Sequence, residues 1–174
     1  MRKDWNGLLK IDEIWITDQS GKITYRDENL YNTFHQTGEQ FLLNAAFAGG
    51  QDNSYIPNNY YFGLDNRLLL DISDTITTIE ESASEPATNG YSRVAVSSSG
   101  VFSTTLNGDH YRAIGPVLSF SAIGGSWGPV KHLFMTTKQD NTGILIASVA
   151  LSETLTLDAG GTVNMRMGLS LKDC

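Results

Sequence analysis

The chain has 174 residues, with 12 Lys and Arg against 19 Asp and Glu, so its formal net charge is −7. This length suits one domain, because domains commonly contain about 100–200 residues. The acidic balance disfavours direct nucleic-acid binding, which depends on Lys and Arg side chains that neutralise phosphates. We therefore predict an acidic, single-domain protein that has no nucleic-acid partner.

Signals for membranes and disulfides are weak in this sequence. Arg2 and Lys3 are not followed by an apolar run, and no later run approaches the ~18 apolar residues of a transmembrane helix. The single cysteine, Cys174, is the last residue and has no second cysteine to pair with. We expect a soluble chain with no membrane partner, and the redox state of its compartment stays open.

A hairpin is predicted over residues 11–26. Ile14, Trp15 and Ile16 form a β-rich run, residues 18–21 (Asp-Gln-Ser-Gly) supply turn residues, and residues 23–25 return alongside. The apolar period then changes to that of a helix, which we predict over residues 29–47.

The predicted helix has an apolar face with spacings of three, four and seven, formed by Leu30, Phe34, Phe41, Leu42 and Ala45. Asp27 or Asn29 would cap its start, and the pair at residues 49–50, Gly-Gly, would end it. Gly38 inside the helix weakens this pattern.

After a polar loop at residues 51–59, the sequence consists mostly of short β-rich runs separated by turn signals. A brief helical turn capped by Asp74 is predicted at residues 75–81, and a loop at residues 82–90. The last strand, residues 162–171, is the clearest, because apolar and polar residues alternate along it. The other predicted strands are 60–64, 68–72, 91–96, 101–106, 111–114, 117–122, 130–136, 144–150 and 154–157.

This spacing predicts a mainly β fold, an antiparallel β-sandwich of jelly-roll-like or immunoglobulin-like type with an N-terminal hairpin and one α-helix. We divide the chain into residues 1–50, a hairpin and helix that serve docking or oligomerisation, and residues 51–174, the sandwich.

No catalytic, metal or cofactor site is predicted. His35, His110 and His132 lack the spacing of metal ligands. Ser126 sits in a Gly-Gly-Ser-Trp-Gly run that matches the G-x-S-x-G elbow in letters, but a strand rather than a helix is predicted after it. Residues 18–21 and 140–143 look like fragments of calcium loops without the downstream acidic ligand, so we interpret them as turns.

Aromatic side chains are the remaining candidates for recognition. Large aromatic rings form protein interfaces or stack on sugars, although in a sandwich they more often fill the core. The candidate interface residues are Trp15, Phe34, Phe41, Tyr60 and Trp127.

The order of several short motifs resembles small β-rich structural proteins of tailed bacteriophages. The glycine-ended helix at residues 38–47 precedes Tyr-Phe-Gly-Leu at 61–64, Gly-Tyr-Ser-Arg at 90–93 and Trp-Gly-Pro-Val at 127–130. Gly-Ile-Leu-Ile-Ala at 143–147 and the final alternating strand close the series. Independently of this resemblance, Tyr91 is expected to fill the sandwich and Arg93 to pair with a carboxylate such as Glu85.

The resemblance implies a noncatalytic virion component, made in the host cytoplasm and placed at the particle surface. The leading expectation is a capsid decoration or cement protein that binds the major capsid protein and forms a homo-oligomer. The alternatives are a tail, neck or baseplate accessory protein, including a carbohydrate-binding tail module that uses Trp127 and the Tyr60 neighbourhood, and, less favoured, a hydrolase that uses Ser126.

Overall fold

The computed structural model describes residues 5–48, 56–81, 85–99, 102–107 and 110–173. Nine strands and two α-helices are assigned within them. The strands are β1 (Trp5–Thr17), β2 (Ile23–Phe34), β3 (Asn59–Asp65), β4 (Val94–Ser97), β5 (Ser103–Asn107), β6 (His110–Ser121), β7 (Trp127–Thr136), β8 (Leu145–Leu157) and β9 (Thr162–Asp173). The helices are α1 (Gln36–Leu43), which continues into a π-helical turn at Asn44–Ala48, and α2 (Ile76–Glu81).

All neighbouring strands are antiparallel, in the order β4-β3-β7-β8-β2-β1-β9-β6-β5. The long strand β2 belongs to two sheets, because its first part pairs with β1 and its last residues, Asn32–Phe34, pair with Ala147–Val149 of β8. Two antiparallel sheets of five strands result, and 53% of the chain is strand. The predicted mainly β, sandwich-type fold is confirmed.

The predicted hairpin over residues 11–26 is confirmed, with its turn at Asp18–Gly21. Asp18 Oδ1 accepts hydrogen bonds from the backbone N–H groups of Ser20 and Lys22, which fixes the turn. The hairpin is not an attachment to a separate sandwich, because β1 and β2 lie in the middle of the strand order and Ile11 and Ile14 are fully buried in the main core. The predicted structural division near residue 50 is therefore wrong.

The predicted start of the helix is also wrong. Residues up to Phe34 remain in β2, where pairing with β8 satisfies their backbone groups, and His35 is still extended at φ −79° and ψ 150°. Asn29, offered as a cap, has φ +62° and lies inside the strand. Helix α1 starts at Gln36, and the predicted Gly-Gly stop at residues 49–50 lies outside the described residues.

A segment predicted as a strand, residues 68–72, is irregular instead. Residues 66–74, which we call the strap, cross the outer face of the sheet formed by β4, β3, β7, β8 and the end of β2. The backbone N–H of Gln36 donates to the carbonyl of Ile72 at 3.0 Å, which fastens the strap to the start of α1. Helix α2 follows as predicted, but Thr75 rather than Asp74 is its cap, because Thr75 Oγ1 accepts from the N–H of Thr78.

Two hydrophobic cores lie on the two faces of this sheet. The main core fills the space between the sheets and includes Phe62, Trp127, Met165 and Met167. A small second core lies under the strap and α2 and consists of Leu70, Ile76, Ile79, Phe134 and Leu145.

The predicted alternation of β9 is confirmed in its described side chains. Val163, Met165 and Met167 are fully buried, whereas Arg166 is exposed. The pairs predicted at 111–114 with 117–122, and at 144–150 with 154–157, are single long strands. In β6 the pairing with β9 shifts register between Ile114 and Val117, at the Gly-Pro pair that separates the two predicted strands.

Candidate interaction surface

Ser126 lies in the turn that leads into β7. Its Oγ accepts a hydrogen bond from the N–H of Ala159 at 3.2 Å, and its carbonyl accepts one from Asn89 Nδ2 at 2.6 Å. Strand β7 begins at the next residue, Trp127, so no helix leaves the serine as the nucleophile elbow requires. The local sequence therefore has the residue pattern of that elbow but not its strand-to-helix geometry.

Two histidines are buried in the outer face beneath the strap. His35 is 0% exposed and its Nε2 lies 2.9 Å from Oγ of Ser148, which is itself 2% exposed. His132 is 4% exposed. Burial lowers the pKa of both imidazoles, while Asp74 near His35 and Asp65 near His132 oppose that effect. The Ser148–His35 pair has the atoms of a nucleophile and a base, but the strap keeps a substrate from the hydroxyl in this conformation.

Arg93 is the centre of a polar network on the same face of the sheet, where its guanidinium lies over the Phe134 ring. Its Nε and Nη2 donate to the Glu85 carboxylate at 3.1 and 2.5 Å, which confirms the predicted ion pair. Nη1 donates to the carbonyls of Gln139 and Asp140, both at 2.9 Å, and Nη2 also reaches Asn141 Oδ1. Each guanidinium nitrogen is thus satisfied within the protein, and the network ties β4 to the turn between β7 and β8.

Tyr91 fills the sandwich as predicted. Its ring stacks on Phe120 at a centroid distance of 6.2 Å and meets Trp127 edge to face at 5.9 Å. Its hydroxyl donates to Glu85 Oε1 at 2.7 Å and accepts the N–H of Leu64 at 2.8 Å. Burial, reinforced by the Glu85 charge, raises the pKa of Tyr91 well above its ordinary value, so the hydroxyl stays a donor.

A cleft of about 410 Å³ lies beside this network and is lined in part by Glu80, Glu85, Arg93 and Asp140. Among the described residues that line it, Arg93 alone carries a guanidinium, and protein acceptors already occupy that group. An anionic ligand would therefore have to break the Arg93 ion pair in order to bind there.

Most of the predicted interface aromatics belong to the core. Phe41 and Trp127 are each 5% exposed, and Phe34 and Tyr60 are half-buried against the main core. Trp15 is half-buried as well. A buried Trp127 has no free ring face for a sugar, so the predicted stacking role of that residue is wrong.

The exposed apolar side chains are different residues, and we call five of them the α1-end surface. Leu42, Leu43 and Phe47, in α1 and the π-helical turn, are 38%, 59% and 85% exposed. Leu106 and Tyr111, which face each other across β5 and β6, are 60% and 71% exposed.

Strand register places both parts of this surface at the same end of the sandwich. Strand β2 leaves β1 after Tyr31 pairs with Lys10, and α1 starts just beyond the end of β2. The β5–β6 hairpin reaches that end too, since Arg112 faces Ser170, and Ser170 faces Leu8 on the far side of Lys10. A chain of rings, Phe41 to Tyr60 to Phe102, connects α1 to the residue before β5.

The predicted interface residue of this helix is Phe41, which is buried, and not the exposed residues that follow it. With Phe41 directed into the core, the next two residues point about 100° and 200° around the helix axis, and Leu42 and Leu43 therefore leave the core face. Three consecutive large apolar residues in a short helix were the available signal, because one helix face cannot bury all three.

Within the described part of the chain, no group of three or more His, Cys, Asp or Glu side chains is placed to hold a metal ion. Across those same residues, no helix is both long enough and apolar enough to cross a membrane.

Comparison of the chain with protein-family models, with curated proteins and with solved structures gives no match.

Proposed function

We propose that this chain is a noncatalytic structural protein of a tailed-phage particle, and that it acts as a capsid decoration protein bound to the assembled lattice. The observation that carries the proposal is the α1-end surface, where Leu43, Phe47, Leu106 and Tyr111 are each more than half exposed. Large apolar side chains grouped at one end of a folded domain are typical of protein–protein contact sites.

Placement of the reactive groups also supports a noncatalytic role. Ser126 is engaged in a turn, His35 and Ser148 are enclosed, and Arg93 is saturated by protein acceptors. A domain whose reactive polar groups are bonded within the protein is suitable as a structural subunit that binds at many equivalent positions of a symmetric particle.

The partner in this proposal is the major capsid protein, with a second copy of the chain as a neighbour in a homo-oligomer at the particle surface. A protein that binds only the assembled lattice stabilises it by RT ln(1 + [L]/Kd) at each site. Several weak apolar contacts per oligomer then add through effective concentration. Placement on the tail or neck is the alternative, and it differs in copy number.

The test is binding to particles that lack the protein. In the variant Leu43→Ser/Phe47→Ser, two exposed side chains lose apolar contact area without disturbing the core, so we expect an unchanged melting temperature. We expect affinity to fall by at least about tenfold, as for central interface residues worth more than 1.4 kcal/mol. Sedimentation of labelled protein with purified particles measures this change.

Ile23→Ser is the matched control, because Ile23 is 51% exposed and lies at the other end of the sandwich, beside the β1–β2 turn. We expect this control to bind as the wild type does. Equal affinity of the double variant and the control, or no binding of the wild-type protein to any particle component, would contradict the proposed function.

A further inference from the structure

Both described buried histidines lie beneath one segment, the strap. His35 follows the end of β2, and His132 is on β7, where it pairs with Asp65, the last residue of β3 before the strap. They are 0% and 4% exposed. The function proposed above uses neither ring, and neither belongs to the α1-end surface.

His35 has one good polar contact, between Nε2 and Ser148 Oγ at 2.9 Å, and its Nδ1 has no hydrogen-bond partner in the described structure. The groups that face the ring come from the strap: the charged side chains of Asp71, Asp74 and Arg67, and the backbone of Asp71 and Ile72, which favours the protonated ring and so opposes burial. Protonation would add a positive charge and a second N–H donor inside a closed site.

His132 is in a similar position. Its Nδ1 also has no partner in the described part of the chain. The charges around it are Asp65, Lys131 and Arg67, and the backbone of Arg67 favours the protonated ring and so opposes burial. For both rings burial is the larger effect and lowers the pKa, despite the neighbouring carboxylates. The closed strap is therefore more compatible with neutral imidazoles than with imidazolium ions.

The strap buries little apolar area, and an ion pair between Arg67 and the buried Asp65 holds its near end. Leu70 is its one buried apolar side chain, whereas Leu68 and Leu69 are 84% and 76% exposed. The hydrogen bond from Gln36 N–H to Ile72 O fastens its far end. Segments with so little buried apolar area open locally at a small fraction of the global unfolding free energy.

We propose that the strap is a pH-sensitive cover, which opens when His35 and His132 become protonated and so exposes the outer sheet face around Phe134. Proton binding and strap opening are thermodynamically linked. A folded pKa below the ordinary value of 6.5 means that the open state binds more protons. The closed strap therefore has its full stability relative to the open strap above pH 6.5, and this stability decreases as the pH falls below 6.5.

Amide hydrogen exchange at pH 7.5 and 5.5, corrected for the intrinsic pH dependence of exchange, tests this cover. We expect the opening constant of strap amides to be severalfold higher at pH 5.5 than at pH 7.5 in the wild type, because the open state binds more protons than the closed state. In His35→Gln/His132→Gln, which cannot become charged, we expect no change with pH. His110→Gln removes the third histidine, on β6, and is expected to behave as the wild type does.

Three results would overturn the proposal: an unchanged strap opening constant in the wild type, the same pH response in the double variant, or simultaneous loss of protection along all strands. If the double variant does not fold, ring titration of the wild-type histidines by NMR replaces it. The buried rings must then titrate together with strap opening. If the two histidine rings titrate while the strap amides stay protected from exchange, the proposed pH-sensitive cover is contradicted.

Discussion

At the scale of single residues, Arg93 joins more of the chain than any other side chain described above. It connects Glu85, β4 and the β7–β8 turn, and its guanidinium also lies 5.2 Å from the centre of the Phe134 ring. Its side chain is only 5% exposed, so its charge depends on these partners instead of on water.

We predict that Arg93→Ala lowers the free energy of unfolding by about 3–5 kcal/mol, because it leaves the Glu85 carboxylate and two carbonyls without their donor. Chemical denaturation measures the change. The control is Arg26→Ala, since the Arg26 side chain is 55% exposed in its ion pair with Glu13 and such pairs contribute only about 0–1 kcal/mol. Similar losses in the two variants would show that the buried network is not a major contributor.

Gly38 shows that the packing of α1 on β8 requires a residue without a side chain. A Cβ at this position would lie 2.2 Å from the carbonyl oxygen of Ile146, so α1 could not approach β8 as closely. We predict that Gly38→Ala lowers the melting temperature even though alanine favours helices. The control Gln40→Ala, at an exposed position of the same helix, is expected to leave it unchanged or slightly raised. A higher melting temperature for Gly38→Ala would contradict the packing.

The Arg93–Glu85 pair and the packing of the half-buried Tyr91 could be predicted, because a short loop separates these residues in the sequence and the residue types constrain their partners. The partner of Gly38 could not, because Ile146 is more than 100 residues away and only the tertiary fold brings it close. The exposure of Phe47 and the burial of Trp127 could not be predicted either, because each depends on contacts with residues that are distant in the sequence.

At the scale of elements, strands with a clear alternation were predictable and the junction between β2 and α1 was not. Residues 29–34 carry apolar residues at spacings compatible with a helix, but pairing with Ala147–Val149 of β8 holds their last part in a strand. Tertiary pairing overrides local periodicity there. The prediction of a strand at residues 68–72 was wrong for a related reason. Leu68 and Leu69 are as apolar as strand residues, but they remain exposed in the strap.

The alternation of β9 leads to a direct comparison of neighbouring residues. We predict that Met167→Asp prevents folding or lowers the melting temperature sharply, because a carboxylate would be forced into a fully buried site. Arg166→Ser changes an exposed residue and should shift the free energy of unfolding by about 0.5 kcal/mol or less. Thermal unfolding of both variants makes the comparison, and equal melting temperatures would contradict the inward direction of Met167.

At the scale of the whole molecule, β2 makes one folding unit of the two sheets, because it pairs with β1 in one and with β8 in the other. The N-terminal hairpin therefore belongs to the fold itself. The fold class could be predicted from strand spacing, whereas the strand order could not, since it depends on pairings between residues far apart in sequence.

Acid should destabilise the whole molecule in two stages. Burial lowers the pKa of His35 and His132, so stability falls first as the pH drops below about 6.5. Hydrogen bonds from Ser20 and Thr142 hold the pKa of Asp18 and Asp140 below 3.8, so their contribution is present above that value and is lost at lower pH. Denaturant unfolding from pH 8 to pH 3 measures both stages. Stability that rises between pH 7 and pH 5 would contradict the first.

The most direct test of the central claim is the copy number of this protein in purified phage particles, measured by quantitative mass spectrometry against the major capsid protein. The account predicts a fixed ratio of hundreds of copies per particle, as expected for a decoration protein. A few to a few dozen copies would place it on the tail or neck. Its absence from particles would contradict a structural role in the virion.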